Sequence, residues 1–115
     1  MRPELYLLAA ILGTVPAPAL ATAQDFQLVN GTEVALGTLT IRRAGTDSWR
    51  PLTASAAPGA KAAVPFKDED CAFDIQAVVA GSGPVTWAGV NLCEVKSVTL
   101  KRDGSTGAWV DYDGE

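Results

Sequence analysis

The chain has 115 residues, of which 48% are hydrophobic and 19% are charged. Nine basic and thirteen acidic residues give a net charge of −4, which argues against nucleic acid and anionic membranes as partners, because both favour a basic surface. The sequence contains no histidine and only two cysteines, so it lacks the commonest general base and zinc ligand and cannot build a four-thiolate metal site.

The beginning of the chain has the pattern of an export signal. An apolar stretch at 5–15 is too short to span a bilayer and is followed by small residues. Both Ala19-Leu20-Ala21 and Ala21-Thr22-Ala23 match the A-x-A pattern of a signal-peptidase site, and we predict cleavage after Ala23. An uncleaved membrane anchor is the alternative.

This cleavage would divide the chain into a signal peptide at 1–23 and a single domain at 24–115. The mature protein would then be periplasmic or secreted, with no membrane attachment. A domain of this length is small enough to have a single hydrophobic core.

The mature chain has the two-residue alternation of short β-strands separated by turns. The predicted strand segments are 26–28, 36–43, 61–67, 71–80, 85–93, 97–101 and 108–112. Pro65 cannot donate a ladder hydrogen bond, so its strand is expected at a sheet edge. Residues 44–59 show neither the two-residue period of a strand nor the 3.6-residue period of a helix. They are predicted as a loop, with Trp49 anchoring that loop to the core. Six or seven short strands predict an all-β antiparallel sandwich, with a small barrel as the alternative.

The two cysteines are expected to pair within a hairpin formed by 71–80 and 85–93. A three-residue loop at 81–83 would place Cys71 opposite Cys93 and Ala77 opposite Trp87 on one face. Exported proteins fold in an oxidising compartment, so we predict one structural disulfide, Cys71–Cys93. A redox-active pair is the alternative, although the C-x-x-C spacing is absent.

Residues that could carry out catalysis or bind metals are sparse. The acidic segments Asp68-Glu69-Asp70 and 111–115 could supply oxygen ligands to Ca²⁺, but neither has EF-hand spacing, and solvated turns are expected. No histidine is present to activate a serine. Asn30-Gly31 is predicted as a tight turn, which also explains the glycosylation motif Asn30-Gly31-Thr32. We therefore predict no catalytic residue, no metal site and no cofactor.

Aromatic side chains supply the candidate ligand contacts, since an exposed aromatic face on a β-sandwich can stack against a sugar or a peptide. Trp87 is expected in the core beside the disulfide, and Trp49 in loop packing. Trp109 and Tyr112 lie near the end of the chain, where fewer core residues are needed. Trp109 and Tyr112 are therefore the candidate ligand contacts, together with the nearby carboxylates.

Two motifs resemble those of a bacterial protein family. Cys71-Ala72-Phe73-Asp74-Ile75 and Trp87-Ala88-Gly89-Val90-Asn91-Leu92-Cys93-Glu94 look like the C-x-[WYF]-D-[LI] and W-x-G-[VF]-[ND]-L-C segments of small exported proteins, mostly from alphaproteobacteria, whose function is uncharacterised. With Phe26-x-Leu-Val-Asn30 upstream, the match covers most of the mature chain. Members often have an Arg where this chain has Gln76.

The resemblance implies export and a β domain. Some members bear the name argininosuccinate lyase, which implies a much larger helical enzyme whose catalytic motifs this chain lacks. No catalytic residue is carried over from it.

These observations predict a non-enzymatic periplasmic or secreted module that binds an envelope protein, a peptide or a glycan. The alternative is a carbohydrate-binding or Ca²⁺-assisted protein that uses Trp109, Tyr112 and neighbouring carboxylates. A third hypothesis is an enzyme or an inhibitor whose site only the folded chain brings together.

Overall fold

The computed structural model describes residues 22–52, 57–104 and 107–114. These residues form eight strands: β1 (Phe26–Asn30), β2 (Leu36–Arg43), β3 (Arg50–Pro51), β4 (Lys61–Val64), β5 (Ala72–Val79), β6 (Gly83–Asn91), β7 (Val95–Asp103) and β8 (Gly107–Gly114). The apolar stretch of the predicted signal peptide lies outside the described residues. Within the described ranges, no helix is long and apolar enough to cross a membrane.

The strands form two four-stranded sheets. The first sheet has the order β4-β1-β7-β8, and the second sheet has the order β3-β2-β5-β6. All neighbouring strands are antiparallel except β1 and β7, which run parallel. The predicted all-β sandwich is therefore confirmed, as is the edge position of β4 beside Pro65. The two-residue strand β3 was missed, because its segment has no alternating pattern.

The hydrophobic core lies between the two sheets. Alternate residues of each strand point inward, as Leu28 and Leu100 do from the first sheet and Ile41 and Ile75 do from the second. The largest side chains that are less than 2% exposed include Trp87, Phe73, Leu36, Ile41, Ile75, Leu92 and Leu100. Removing these apolar surfaces from water is the main force that holds the sheets together.

The β5–β6 hairpin is present, but its predicted register is wrong. Val79 pairs with Gly83, so the three-residue loop begins at Ala80 and lies one position earlier than expected. As a result Ile75, and not Ala77, lies opposite Trp87. Moving the loop by one position moves the partner of Trp87 by two residues, and a shift of two leaves every side chain on the same face. Trp87 therefore still points into the core, where it is 1% exposed.

A β-bulge in β6 changes the register a second time. Between the pairs Ile75–Trp87 and Phe73–Val90, a single residue of β5 opposes two of β6, and Gly89 adopts a left-handed φ of 66°. Beyond the bulge the predicted disulfide joins Cys71 to Cys93, with Cα atoms 5.1 Å apart. The pairing of the cysteines is confirmed even though the regular ladder used to predict it is not.

The Asn30-Gly31 segment does not form the tight turn predicted for it. Asn30 ends β1, and the chain then crosses to the second sheet through a bend at 32–34. The Asn30 side chain is buried; it accepts a hydrogen bond from the Thr32 N–H and donates one to the Val34 carbonyl, each at 2.9 Å. Gly31 lies against β7, where a Cβ would stand 2.5 Å from Thr99 Cγ2. Only glycine fits this approach.

Candidate functional site

The two candidate aromatic contacts lie on opposite faces of β8, because they are three residues apart in a strand. Trp109 pairs with Lys101 and points away from the core, whereas Tyr112 pairs with the buried Val98 and lies on the core-facing side. Each side chain is 44% exposed. The two residues therefore do not form one stacking surface.

Tyr112 helps to close one side of the sandwich. Its hydroxyl oxygen accepts a hydrogen bond of 2.8 Å from the Asn91 N–H, which joins β8 to β6. On the same side, Trp87 Nε1 donates to the Lys101 carbonyl at 2.8 Å. The structure thus assigns the Tyr112 hydroxyl to an internal contact, and a role for its ring in ligand binding stays a prediction.

Trp109 belongs to a polar surface on the outside of the first sheet. Three cross-strand pairs build it: Lys101–Trp109, Thr99–Asp111 and Ser97–Asp113. We call these six side chains the β7–β8 face. Alternate residues on one face of a strand are about 7 Å apart, so the indole ring and the carboxylates of Asp111 and Asp113 lie in one row. All three of these side chains are exposed.

The outside of the second sheet carries a different cluster, centred on Arg42. Its Nε donates to Asp74 Oδ2 at 2.8 Å, and its Nη1 lies 3.5 Å from Asp47 Oδ1. The guanidinium carbon lies 4.4 Å from the centre of the Trp49 ring, a cation–π contact. Trp49 therefore holds its loop against the outer face of the sheet through Arg42, rather than against the core as predicted.

Asp74 is the buried anchor of this Arg42 cluster, with 5% exposure. Burial alone raises the pKa of its carboxyl, but the 3.0 Å hydrogen bond from the Gly89 N–H and the bond and charge of Arg42 outweigh that effect and lower the pKa below its ordinary value. Asp74 is thereby held as a carboxylate. Its bond to Gly89 also fixes the bulge in β6.

Two carboxylates of the acidic segment at 68–70, those of Asp68 and Asp70, form ion pairs with arginines. Arg43 Nη2 lies 2.8 Å from Asp68 Oδ1 and its Nε 3.2 Å from Asp70 Oδ2, while Arg50 Nη2 lies 3.8 Å from Asp68 Oδ2. Burial raises the pKa of Asp68, but the Asp70 N–H and Arg43 bonds, with the charges of Arg43 and Arg50, lower it overall. Across 22–52, 57–104 and 107–114, no group of three or more acidic or cysteine side chains is arranged to hold a metal ion. Glu115 lies outside these ranges.

A groove of about 450 Å³ separates the edge strands β3 and β4. It is lined mainly by apolar side chains, among them Ile41, Leu52, Val64 and Phe66. The guanidinium carbon of Arg50 lies 5.4 Å from the Phe66 ring at its rim. Sequence reasoning missed the groove because it depends on β3 and on the approach of two edge strands that are distant in the chain.

The Arg42 cluster was also missed, although part of its signal is present in the sequence. Arg42 and Asp74 each occupy an outward position in an alternating strand. What the sequence does not reveal is that β2 and β5 are neighbours, which sets these residues directly opposite each other.

Comparison with known proteins bears on the fold alone. No family model matches the chain, and no curated protein matches it. The chain is similar to a protein from Eubacterium rectale solved by NMR, with a TM-score of 0.54, 13% sequence identity, and coverage of 87% of this chain and 98% of the other. At this level of identity the likeness supports the architecture and transfers no site residue.

Proposed function

We propose that the protein is an exported binding module without catalytic activity, and that it binds its ligand on the β7–β8 face around Trp109. The observation that carries the proposal is the situation of the three tryptophans. Trp87 is 1% exposed in the core, and Trp49 lies under Arg42, whereas Trp109 is 44% exposed on a sheet face. Trp109 can therefore stack against a ligand without any rearrangement of the sandwich.

Export to the periplasm or the medium is supported by the disulfide and by the sequence pattern at 1–23. Cys71 and Cys93 are joined, and such bridges persist in oxidising compartments, because cytosolic thiols are kept reduced. No membrane or nucleic-acid partner is proposed, in keeping with the net charge of −4.

A binding role, rather than a catalytic one, is supported by the state of the buried carboxyls. A general acid or base works best with a pKa near the operating pH. The pKa values of Asp68 and Asp74 are instead lowered, away from neutrality, by hydrogen bonds and by arginine charges. Both groups act as fixed anions within the fold.

Among envelope ligands, a glycan is the second, more specific candidate. An indole ring can stack against the apolar face of a sugar, and the carboxylates of Asp111 and Asp113 can accept hydrogen bonds from its hydroxyl groups. Ca²⁺ needs several oxygen ligands, of which these two side chains could supply a part. Peptides and proteins remain the competing partners for the same ring.

A fluorescence titration tests the proposal. Purified mature protein is titrated with peptidoglycan fragments, with neutral oligosaccharides and with envelope-derived peptides, each with and without Ca²⁺. We expect a saturable change in tryptophan emission with one of these classes, lost in Trp109→Ala and kept in the matched control Trp49→Phe.

The class that responds identifies the ligand chemistry. A response that survives in Trp109→Ala would overturn the proposed surface. Steady turnover of a substrate by the purified protein, abolished by one point substitution, would refute the non-enzymatic role.

A further inference from the structure

Ala23 belongs to the folded domain, although it lies before the first strand. Ala23 is fully buried, with 0% exposure. The Ala23 N–H donates to the Asp68 carbonyl at 2.9 Å, and the Asp68 N–H donates to the Ala23 carbonyl at 3.1 Å. Ala23 also forms an antiparallel bridge with Cys93. This single residue therefore ties the start of the domain to the acidic segment and to the disulfide.

We propose that the export signal is cleaved after Ala21, two residues before the position predicted from the sequence, so that the mature chain begins at Thr22. The proposal rests on the proposed export. Since Ala19-Leu20-Ala21 and Ala21-Thr22-Ala23 both satisfy the small-residue pattern, the pattern alone does not choose between them. The contacts of Ala23 do, because only the earlier cleavage leaves this residue in the domain that it helps to build.

Cleavage after Ala23 would remove both hydrogen bonds to the Asp68 backbone. The N–H and the carbonyl of Asp68 would then lose their protein partners, and the space filled by a fully buried methyl group would be vacated.

The same backbone contacts hold the Asp68 carboxylate, which is 8% exposed, in position for Arg43 at 2.8 Å and Arg50 at 3.8 Å. Loss of Ala23 would therefore loosen an ion-pair network as well as two backbone bonds. Cleavage after Ala21 disturbs none of this, and it places the new ammonium group on Thr22, which is partly exposed.

The direct test is the mass and amino-terminal sequence of the protein recovered after expression of the full chain in a bacterium with a periplasm. We expect a mature chain that begins at Thr22. A mature chain that begins at Gln24 would overturn this inference and leave export intact. Recovery of only the unprocessed chain in the cytoplasm would overturn both.

A substitution in the signal separates the two cleavage positions. Ala19→Gln places a large side chain at the third position before the proposed cut and leaves the second pattern unchanged. We expect the unprocessed chain to accumulate, or the amino terminus to shift to Gln24. A mature chain that begins at Gln24 in both the parent and Ala19→Gln would contradict the inference. Ala19→Ser, which keeps a small side chain, is the matched control and should be processed normally.

A second test measures the contribution of Ala23 to the domain. Two chains that begin at Thr22 and at Gln24 are exported behind the same unrelated signal and purified with the disulfide formed. We expect the shorter chain to melt about 5–10 °C lower, because two backbone hydrogen bonds and a buried methyl group are missing. Equal melting temperatures would remove the physical ground for the inference.

Discussion

The two outer faces of the sandwich each carry a tryptophan, and the two rings are in opposite situations. On the second sheet, Trp49 lies 4.4 Å from the guanidinium of Arg42, which Asp74 holds at 2.8 Å. On the first sheet, Trp109 lies beside Lys101 across the strands and is 44% exposed. A ligand at Trp49 would have to compete with an arginine that is already paired, whereas a ligand at Trp109 displaces water.

The difference also separates structural charge from charge available for recognition. Asp74 is buried and hydrogen-bonded to both Arg42 and Gly89, so its charge stabilises the second sheet. Asp111 and Asp113 are exposed on an edge strand. We therefore expect substitutions in the Arg42 cluster to change stability, and substitutions on the β7–β8 face to change binding.

Removing the disulfide should have the largest effect on stability, because it concerns the whole domain and not one outer face. Replacing Cys71 and Cys93 together by Ala removes a cross-link that spans 22 residues, and we expect the free energy of unfolding to fall by about 3 kcal/mol, because the unfolded chain gains entropy. Urea denaturation of the oxidised parent and the double variant measures this. Ligand binding at temperatures where the variant is folded should be unchanged; loss of binding there would show that the disulfide serves the site.

Asp74→Asn should disturb only the Arg42 cluster on the outside of the second sheet. The substitution removes the charge that holds Arg42 and weakens the acceptor for the Gly89 N–H, and we expect a loss of about 2 kcal/mol in the free energy of unfolding. Asp111→Asn, on the exposed face, is the matched control and should stay within about 0.5 kcal/mol of the parent. Similar losses in the two variants would remove the distinction between the faces.

The dependence of stability on pH follows from the lowered pKa values of Asp68 and Asp74. A carboxyl whose pKa is lower in the folded state stabilises the protein above its unfolded pKa of about 3.9, and this contribution is lost as the pH falls through the folded pKa. We expect melting temperatures to decline below about pH 4. In Asp74→Asn the decline should be smaller, and an unchanged decline would show that Asp74 is not responsible.

Tyr112→Phe should have a smaller effect on stability than Asp74→Asn. It keeps the ring and removes the oxygen that accepts the Asn91 N–H at 2.8 Å. Because Asn91 is exposed and water can replace this bond, we expect a loss of about 0.5–1 kcal/mol by urea denaturation. Trp109→Phe, which breaks no such bond, serves as the control. A Tyr112→Phe variant that binds ligand poorly but keeps its stability would move Tyr112 into the site.

Much of the fold follows from local pattern. The predicted strand 36–43 coincides with β2, because Leu39 and Ile41 alternate with polar residues. The irregularity between Gly37 and Thr40, which leaves Leu36 buried as well, is not visible in that pattern. The hairpin register was wrong for two reasons: the loop begins one position earlier than the glycine pattern indicated, and the bulge depends on Asp74 accepting from the Gly89 N–H, a contact that no alternation rule includes. The parallel pairing of β1 with β7 depends in the same way on the return of the chain from the second sheet.

The candidate site was predictable only in part. Trp109 could be named from its position near the end of the chain, and the spacing of three residues to Tyr112 already implied opposite faces. The motifs that carry the family resemblance turned out to be structural: Asp74 and Gly89 meet across the bulge, and the Asn91 side chain accepts the Cys93 N–H at 2.9 Å. These motifs specify a disulfide-linked, bulged hairpin, and the proposed binding face lies outside them.

The indole N–H signals in a ¹⁵N-resolved NMR spectrum test the central claim most directly, since the chain has three tryptophans. Each signal, assigned by a Trp→Phe variant, reports on one environment: Trp87 in the core, Trp49 under Arg42 and Trp109 on the β7–β8 face. With the ligand class that gives a fluorescence response, the account predicts that the Trp109 signal shifts while the other two stay in place. A shift of the Trp49 signal with Trp109 unmoved would contradict it.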